Sequence, residues 1–309
     1  VAKRAAGNDT AGGGRTFAAF IAGWLDNKAI TVAPKTAYTY RYYCELASGQ
    51  FGAVRIDTLT LEHMQGLLRY LVKAKFQNIP QLFAVLRQAF KYARSSSLRW
   101  MTVDPLDGLE LPRTHRKVTK VLTKRQRADL LALAADADDP ACPLLPLWHV
   151  YARLALRLGE GVALRWGDID WTEQILTIDE TTARFGGETH TGQTKGKRTR
   201  YAPIPDDVLA LLRDHRAAQQ RRGVFPHVFC YADGTQVKPA HVQHRLGVLA
   251  KAAGVAVTVH GLRHTALTLL ALDGTPQNAL MALAGHLSPD ISRLYTNHAT
   301  AEDVRRWVG

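Results

Sequence analysis

Cysteine is scarce: Cys44, Cys142 and Cys230 are the only three in 309 residues, and no two form a C-x-x-C pair. That spacing argues against a disulfide framework and a cysteine zinc site, and it fits a reducing compartment. No run of about 18 apolar residues could cross a bilayer, and the N-terminal stretch lacks the apolar core of a signal peptide. The expectation is therefore a cytoplasmic chain, nucleoid-associated if bacterial, with no membrane partner. The glycine triplet Gly12-Gly13-Gly14 lacks the Gly-Lys-Ser/Thr ending of a phosphate loop. Acidic residues are few in the first third. From Val1 to Lys120, 8 Asp and Glu stand against 18 Lys and Arg; from Val121 to Gly309 the counts are 19 and 22. The net charge of +13 thus sits mostly at the front, as in a clamp on a polyanion such as nucleic acid. A basic solvated surface would give the same totals, so the chemistry has to decide.

The hydrophobic content, 46%, is that of an ordinary globular protein. Residues 1–14 are small, polar and glycine-rich and read as a flexible arm or linker. Residues 15–105 predict four helices. Phe17, Phe20, Ile21, Trp24 and Leu25 recur at helical spacing. Pro34 fits the first turn of a second helix, with Tyr40, Tyr43 and Leu46 along it. Thr60 fits the cap of a third, with Leu61, Met64, Leu68 and Leu71 inside. Asn78 and Pro80 open a fourth, striped by Phe83, Leu86, Phe90 and Ala93. Lys35, Arg41, Arg69, Lys73, Lys75, Arg87, Lys91 and Arg94 interleave with these stripes, and some of them should face phosphates.

Asp104-Pro105 ends this pattern. Residues 106–121, with Pro112 and the run Arg113, His115, Arg116, Lys117 and Lys120, read as a basic interdomain linker; tracking a DNA backbone and plain solvation are both open. A second domain, 122–309, opens at Thr123-x-x-Gln126, which fits a capping box. Helices are expected at about 124–136, 144–159, 206–221, 239–253, 260–273, 276–284 and 288–296, with a last near 301–308. Ile175 to Ile178 and Arg200 to Ile204 read as strands, and the turn-rich stretch from Gly186-Gly187 to Lys197 as a hairpin or small sheet. The expected fold is mainly α with a small antiparallel β-sheet, an α+β chain.

Four stretches of the second domain carry chemistry. They are Leu156-Arg157-Leu158-Gly159-Glu160, followed by Leu164-Arg165-Trp166-Gly167-Asp168; Thr194-Lys195-Gly196-Lys197, followed by Pro203-Ile204-Pro205; His260-Gly261-Leu262-Arg263-His264-Thr265; and Gly285-His286 with Tyr295 nine positions on. Singly, each has an ordinary explanation. Arg157 fits an ion pair with Glu160, Lys195 a solvated hairpin tip, Tyr295 a core aromatic beside Ile291 and Leu294, and His286 a helix end. Together they suit phosphodiester chemistry. Arg157 and Arg263 offer planar, permanently charged forks for non-bridging oxygens. A helix puts His260 and Arg263 on one face. Lys195 could protonate a leaving sugar oxygen. Tyr295, with a phenol pKa near 10, needs nearby cations or a base to act as nucleophile. Ser288 and Pro289 fit the start of the helix that would present it. His260 and His264 also match a helical zinc pair, but Gly-Leu-Arg between them lacks the usual glutamate, and Arg263 would repel a dication.

In this order the stretches resemble the tyrosine recombinase (phage integrase) family. Its arginine, lysine, His-x-x-Arg, second histidine and tyrosine map to Arg157, Lys195, His260 with Arg263, His286 and Tyr295. Pro34-Lys35-Thr36 with Tyr40, and the run from Ala89-Phe90 to Asp104-Pro105, resemble the family's core-binding domain. Leu154-Ala155-Leu156 departs from the usual Thr-Gly-Leu, Gly161 replaces a larger apolar residue, and Ala284 replaces a leucine. The resemblance implies a four-helix core-binding domain and a catalytic domain closing as a C-shaped clamp on double-stranded DNA. It implies a 3′-phosphotyrosine at Tyr295, no cofactor and no metal, and a homotetramer on two DNA sites, with accessory DNA-bending proteins as conceivable further partners. Type IB topoisomerase-like relaxation and a non-catalytic DNA-binding protein on the same fold are the alternatives. The complete set of six groups favours an enzyme, and the core-binding domain together with Ala301 to Val308 favours the recombinase.

Overall fold

The apolar stripes of the first unit fold, in a computed structural model of the chain, into α1 (Phe17–Thr31), α2 (Pro34–Phe51), α3 (Leu61–Lys73) and α4 (Ile79–Ala93). The structure describes residues 14–95, 97–112, 120–139, 141–193 and 199–285. The chain divides into two units, the first ending at Arg116 and the second beginning at Lys117.

Thr16 caps α1, its hydroxyl accepting from the Ala19 N–H at 3.3 Å, and all five apolar residues expected along this helix are buried. In α2, Pro34 occupies the first turn as expected, but the buried stripe is Tyr43, Cys44, Ala47 and Phe51, with Tyr40 and Leu46 only partly covered. In α3 the buried positions are Met64, Leu67 and Leu71; Leu68 lies at the margin, because Leu67 takes the inward position one residue earlier. The α4 stripe, Phe83, Leu86, Phe90 and Ala93, is buried as expected. Edge-to-face contact of Phe17 with Phe51, ring centroids 4.7 Å apart, ties α1 to α2.

Of the basic residues expected to interleave with these stripes, Lys35, Arg41, Arg69, Lys73, Lys75, Arg87 and Lys91 are exposed, and Arg94 is partly buried. Arg94 pairs with the buried carboxylate of Asp104, which also accepts from the Leu106 N–H at 3.1 Å. Arg94 therefore braces a turn rather than waiting for a phosphate. Leu106 is buried in the first unit's core, and Leu109 and Leu111 pack against it. The expected linker thus begins folded onto this unit; residues 113–119 lie outside the described residues.

Near the start of the second unit, Leu122 N–H donates to Thr265 Oγ1 at 3.0 Å. Its described elements are α5 (Lys124–Asp136), α6 (Leu145–Leu154), α7 (Leu158–Ala163), β1 (Ile169–Asp170), β2 (Ile175–Ile178), β3 (Glu180–Phe185), β4 (Glu188–Gln193), β5 (Arg200–Pro203), α8 (Asp206–Gln220), α9 (Pro239–Ala252), α10 (Val259–Leu272) and α11 (Gln277–Ala284). The Thr123–Gln126 capping box is formed, with bonds of 3.0 and 3.1 Å. Helix α6 is buried on nearly every side and packs against α10, α5 and α8, so it forms the unit's axis.

The single expected helix over 144–159 is two helices. Ala155 takes φ 56° and stops α6, and Arg157 becomes the N-cap of α7. The left-handed turn costs an alanine about 1–2 kcal/mol, and it is the position where the related pattern carries glycine. The strands form two antiparallel sheets, not one: β1-β2-β5, with Leu176 opposite Ala202 and Ile178 opposite Arg200, and the hairpin β3-β4. The hairpin turns at Gly186 (φ 61°) and Gly187 (φ 84°), the two positive φ values a two-residue primed turn requires. Lys195 is therefore not at this tip; it follows β4 and lies outside the described residues. The helices expected at 288–296 and 301–308 also lie outside them.

Candidate active site

Three of the six expected groups, Arg157, His260 and Arg263, are described, and the fold brings them together. Lys195, His286 and Tyr295 lie outside the described residues. The break after α6 gives Arg157 its position. Glu160, in the first turn of α7, reaches back to the Arg157 N–H at 2.6 Å, as a capping-box carboxylate does. Its other oxygen accepts from Arg157 Nη1 at 2.8 Å. The ion pair anticipated as the ordinary reading of Arg157 thus exists, and it orients the guanidinium instead of consuming it. Arg157 Nη2 points to the end of α11, 3.3 Å from the Ala284 carbonyl and 3.5 Å from that of Gly285. The side chain remains about one-third exposed, at 35%.

Arg263 comes from α10, which is capped by Thr258. It lies beneath Arg157, only 1% exposed, donating to the Ala155 carbonyl from Nη1 and to the Ala284 carbonyl from Nη2, both at 2.5 Å. The two arginines share the Ala284 oxygen but are not equivalent: one faces outward and the other is buried. The strained Ala155 turn presents its carbonyl to Arg263, which links the break in α6 to the site.

His260, one helical turn before Arg263, is exposed at its edge. Partial desolvation, then the positive charges of Arg263 and Arg157, hold its pKa below the ordinary histidine value. Its Nε2 lies 2.8 Å from His264 Nε2, a direct hydrogen bond in which one ring donates and the other accepts. The two histidines with helical zinc-pair spacing are thus in direct ring-to-ring contact.

Two further residues complete the cluster. Arg200, on β5, grips Glu160 with both terminal nitrogens at 2.8 and 2.6 Å and donates Nε to the Leu283 carbonyl at 2.9 Å. Glu160 is 1% exposed. Burial alone would raise its pKa, but the hydrogen bonds and charges of Arg200 and Arg157 overcome this and hold it at about 2. The expected site did not include Arg200. Its signal was present: the two-residue period of β5 puts Arg200 on the inward face with Ala202, while Tyr201 is exposed, and an inward charge on a short strand calls for a buried partner.

Glycines set the close approaches. A Cβ at Gly159 would lie 2.3 Å from the Thr182 carbonyl of β3, so α7 packs backbone to backbone there. Gly285 has φ +61°, and a Cβ on it would lie 3.2 Å from Arg200 Cδ and 3.7 Å from Arg157 Nη1. The end of α11 thus offers partly negative carbonyls to three guanidinium groups, immediately before His286 in the chain. Three arginines and one carboxylate leave the cluster cationic, an arrangement fit to receive an anion with delocalised oxygens.

The family model described as "Phage integrase family" matches residues 120–302, more than half of the chain. The chain belongs to the phage integrase family. The tyrosine recombinase XerC of Xylella fastidiosa is 26% identical over 203 residues, 64% of this chain and 62% of that protein. The chain thus spans less than two thirds of that relative's length in the match. Among solved structures, the Tn1549 transposon integrase in complex with transposon right end DNA is similar with a TM-score of 0.79 at 18% identity, covering 94% of this chain and 98% of that one. A lambda integrase tetramer bound to a Holliday junction is similar with a TM-score of 0.71 at 15% identity, covering 91% and 77%. At these identities the likeness is one of fold, and the integrase fold is mainly helical with small antiparallel sheets, as in this chain. Among the described residues no helix is long and apolar enough to cross a membrane.

Proposed function

We propose that this integrase-family chain is a site-specific DNA recombinase that cleaves and rejoins strands through Tyr295. The observation that carries this reading is the convergence of Arg157 and Arg263 on the end of α11, with His260 within electrostatic reach of both; from that end the chain runs directly into His286 and on to Tyr295. In the proposed reaction the Tyr295 phenolate oxygen attacks a backbone phosphorus. A 3′-phosphotyrosine bond forms, the bond to the 5′ oxygen breaks, and Lys195 gives that oxygen its proton. Arg157 meets the non-bridging oxygens from the exposed side, and Arg263 supports it with charge from beneath. His260 and His286 assist proton transfer and hydrogen bonding. A 5′-hydroxyl from a partner strand then attacks the phosphotyrosine and releases Tyr295, so the phosphodiester energy is conserved without ATP or metal.

The partner in this reading is duplex DNA, held in part by the exposed lysines and arginines of residues 15–105, with residues 122–309 as the catalytic part. A homotetramer on two DNA sites is supported by the lambda integrase tetramer on a Holliday junction, and accessory DNA-bending proteins and a cytoplasmic location belong to the same proposal. The test uses nicked suicide duplexes tiled across the DNA that flanks the gene, run on a denaturing gel. The expected result is a covalent adduct from the native chain and none from Tyr295→Phe, with DNA affinity nearly unchanged. A full-strength adduct from Tyr295→Phe would remove Tyr295 from its role.

A further inference from the structure

We propose that Arg200 is a positioning residue for strand cleavage: its two-pronged hold on Glu160 keeps that carboxylate from capturing Arg157, and its third nitrogen sets the end of α11. This rests on the recombinase reading above. Arg200 is only 8% exposed and directs its guanidinium nitrogens inward. A phosphate ligand would need to face outward, so Arg200 is not a candidate for direct contact with DNA.

The division of Glu160 is what matters. Oε1 accepts from Arg200 Nη1 and Arg157 Nη1, both at 2.8 Å; Oε2 accepts from Arg200 Nη2 and the Arg157 backbone N–H, both at 2.6 Å. A buried carboxylate left with one guanidinium draws it into the parallel, bidentate geometry that suits both groups best. Arg200 already occupies that geometry. Arg157 therefore gives Glu160 one side-chain nitrogen, turns the other toward Ala284 and Gly285, and keeps its exposed edge. Arg200 also abuts Gly285, the residue at which the chain leaves α11 for His286. One buried side chain thus links the orientation of the outward arginine to the origin of the segment that carries the nucleophile.

The experiment measures single-turnover cleavage of the suicide duplexes at saturating DNA, with affinity read by fluorescence anisotropy on the same duplexes. Arg200→Met should slow cleavage on the order of 10²-fold, the scale set by displacing a reacting group by about 1 Å, while the Kd stays within about threefold. Glu160→Gln added to Arg200→Met should recover roughly tenfold of that loss, because no buried carboxylate remains to capture Arg157. A purely structural arginine predicts the opposite, losses that multiply in the double variant and a parallel fall in affinity, and either result would overturn the proposal. If Arg200→Met does not fold, Arg200→Lys decides. It keeps the charge but cannot hold both carboxylate oxygens and the Leu283 carbonyl, so cleavage should fall by about tenfold at unchanged Kd. Native cleavage by Arg200→Lys would overturn the assignment. No adduct from the native chain on any duplex would overturn the recombinase reading itself, whereas native adduct with unimpaired Arg200 variants would overturn only the positioning role.

Discussion

Gly161 stands where related patterns carry a larger apolar residue, and the structure supplies a reason that can be tested by a change of sign. A Cβ at Gly161 would lie 2.5 Å from Tyr151 Cε1 and 2.7 Å from both Cζ and Oη. Tyr151 cannot retreat: it is 0% exposed on the axial helix α6, and its hydroxyl donates to the Leu158 carbonyl at 2.8 Å. Overpacking of this kind costs about 1–3 kcal/mol. Replacing a helical glycine by alanine returns at most about 1 kcal/mol of propensity, so Gly161→Ala should destabilise the second unit by about 1–2 kcal/mol. For a unit of this size that lowers the melting temperature by about 2–8 °C. Tyr151→Phe should give no relief, because Cε1 and Cζ remain. In the Tyr151→Leu background the ring is gone, and Gly161→Ala should become neutral or stabilising by up to about 1 kcal/mol. Urea unfolding followed by near-ultraviolet circular dichroism measures the four corners of the cycle, with an expected coupling of about 1–3 kcal/mol. Equal destabilisation in both backgrounds, or full rescue by Tyr151→Phe, would refute the steric argument.

Arg157→Ala and Arg263→Ala should each slow cleavage by on the order of 10²-fold or more, but they should differ in stability. Arg263→Ala strips the buried Ala155 carbonyl of its partner, at about 1–3 kcal/mol, and leaves the Ala284 carbonyl only the longer bond from Arg157, whereas Arg157→Ala leaves Glu160 held by Arg200. Unfolding midpoints and suicide-substrate rates separate the two. Glu160 makes stability pH-dependent in a defined direction: its folded pKa of about 2 lies below the ordinary 4.5, so the stabilisation is fully present above pH 4.5 and is lost as pH falls toward 2. The stability advantage of the native chain over Glu160→Gln should therefore shrink by about 3 kcal/mol between pH 5 and pH 2; an advantage that does not change with pH would show that Glu160 does not titrate as argued. A truncated chain beginning near Val121 sheds most of the charge excess, falling from +13 to +3. Its log–log salt dependence of DNA binding should flatten by about 0.9 for each phosphate that the shortened chain no longer neutralises, and equal slopes for the two chains would show that the basic residues of the first unit are ordinary solvated surface.

The periodicity of side chains was enough to place most helices. The α1 and α4 stripes, the Thr123–Gln126 cap and the strand Ile175–Ile178 follow from spacing and capping chemistry, which act over a few residues. The family was equally legible, because a resemblance rests on residue types in a fixed order wherever they lie in space, and three of the residues that carry it, Arg157, His260 and Arg263, meet in the fold. Three features were decided by the tertiary structure. The break at Ala155 is invisible to propensity, since alanine favours helix; it persists where Arg263, 108 residues on, holds the Ala155 carbonyl. The burial of Arg263 beneath an outward Arg157 depends on the end of α11, 127 residues beyond Arg157, supplying a carbonyl to both. Arg200 finds Glu160 across 40 residues, a pairing that no local pattern encodes. Short-range order follows from the chain's own steric and capping preferences, but a buried charge has no stable position until folding brings a partner from elsewhere in the sequence within hydrogen-bond reach.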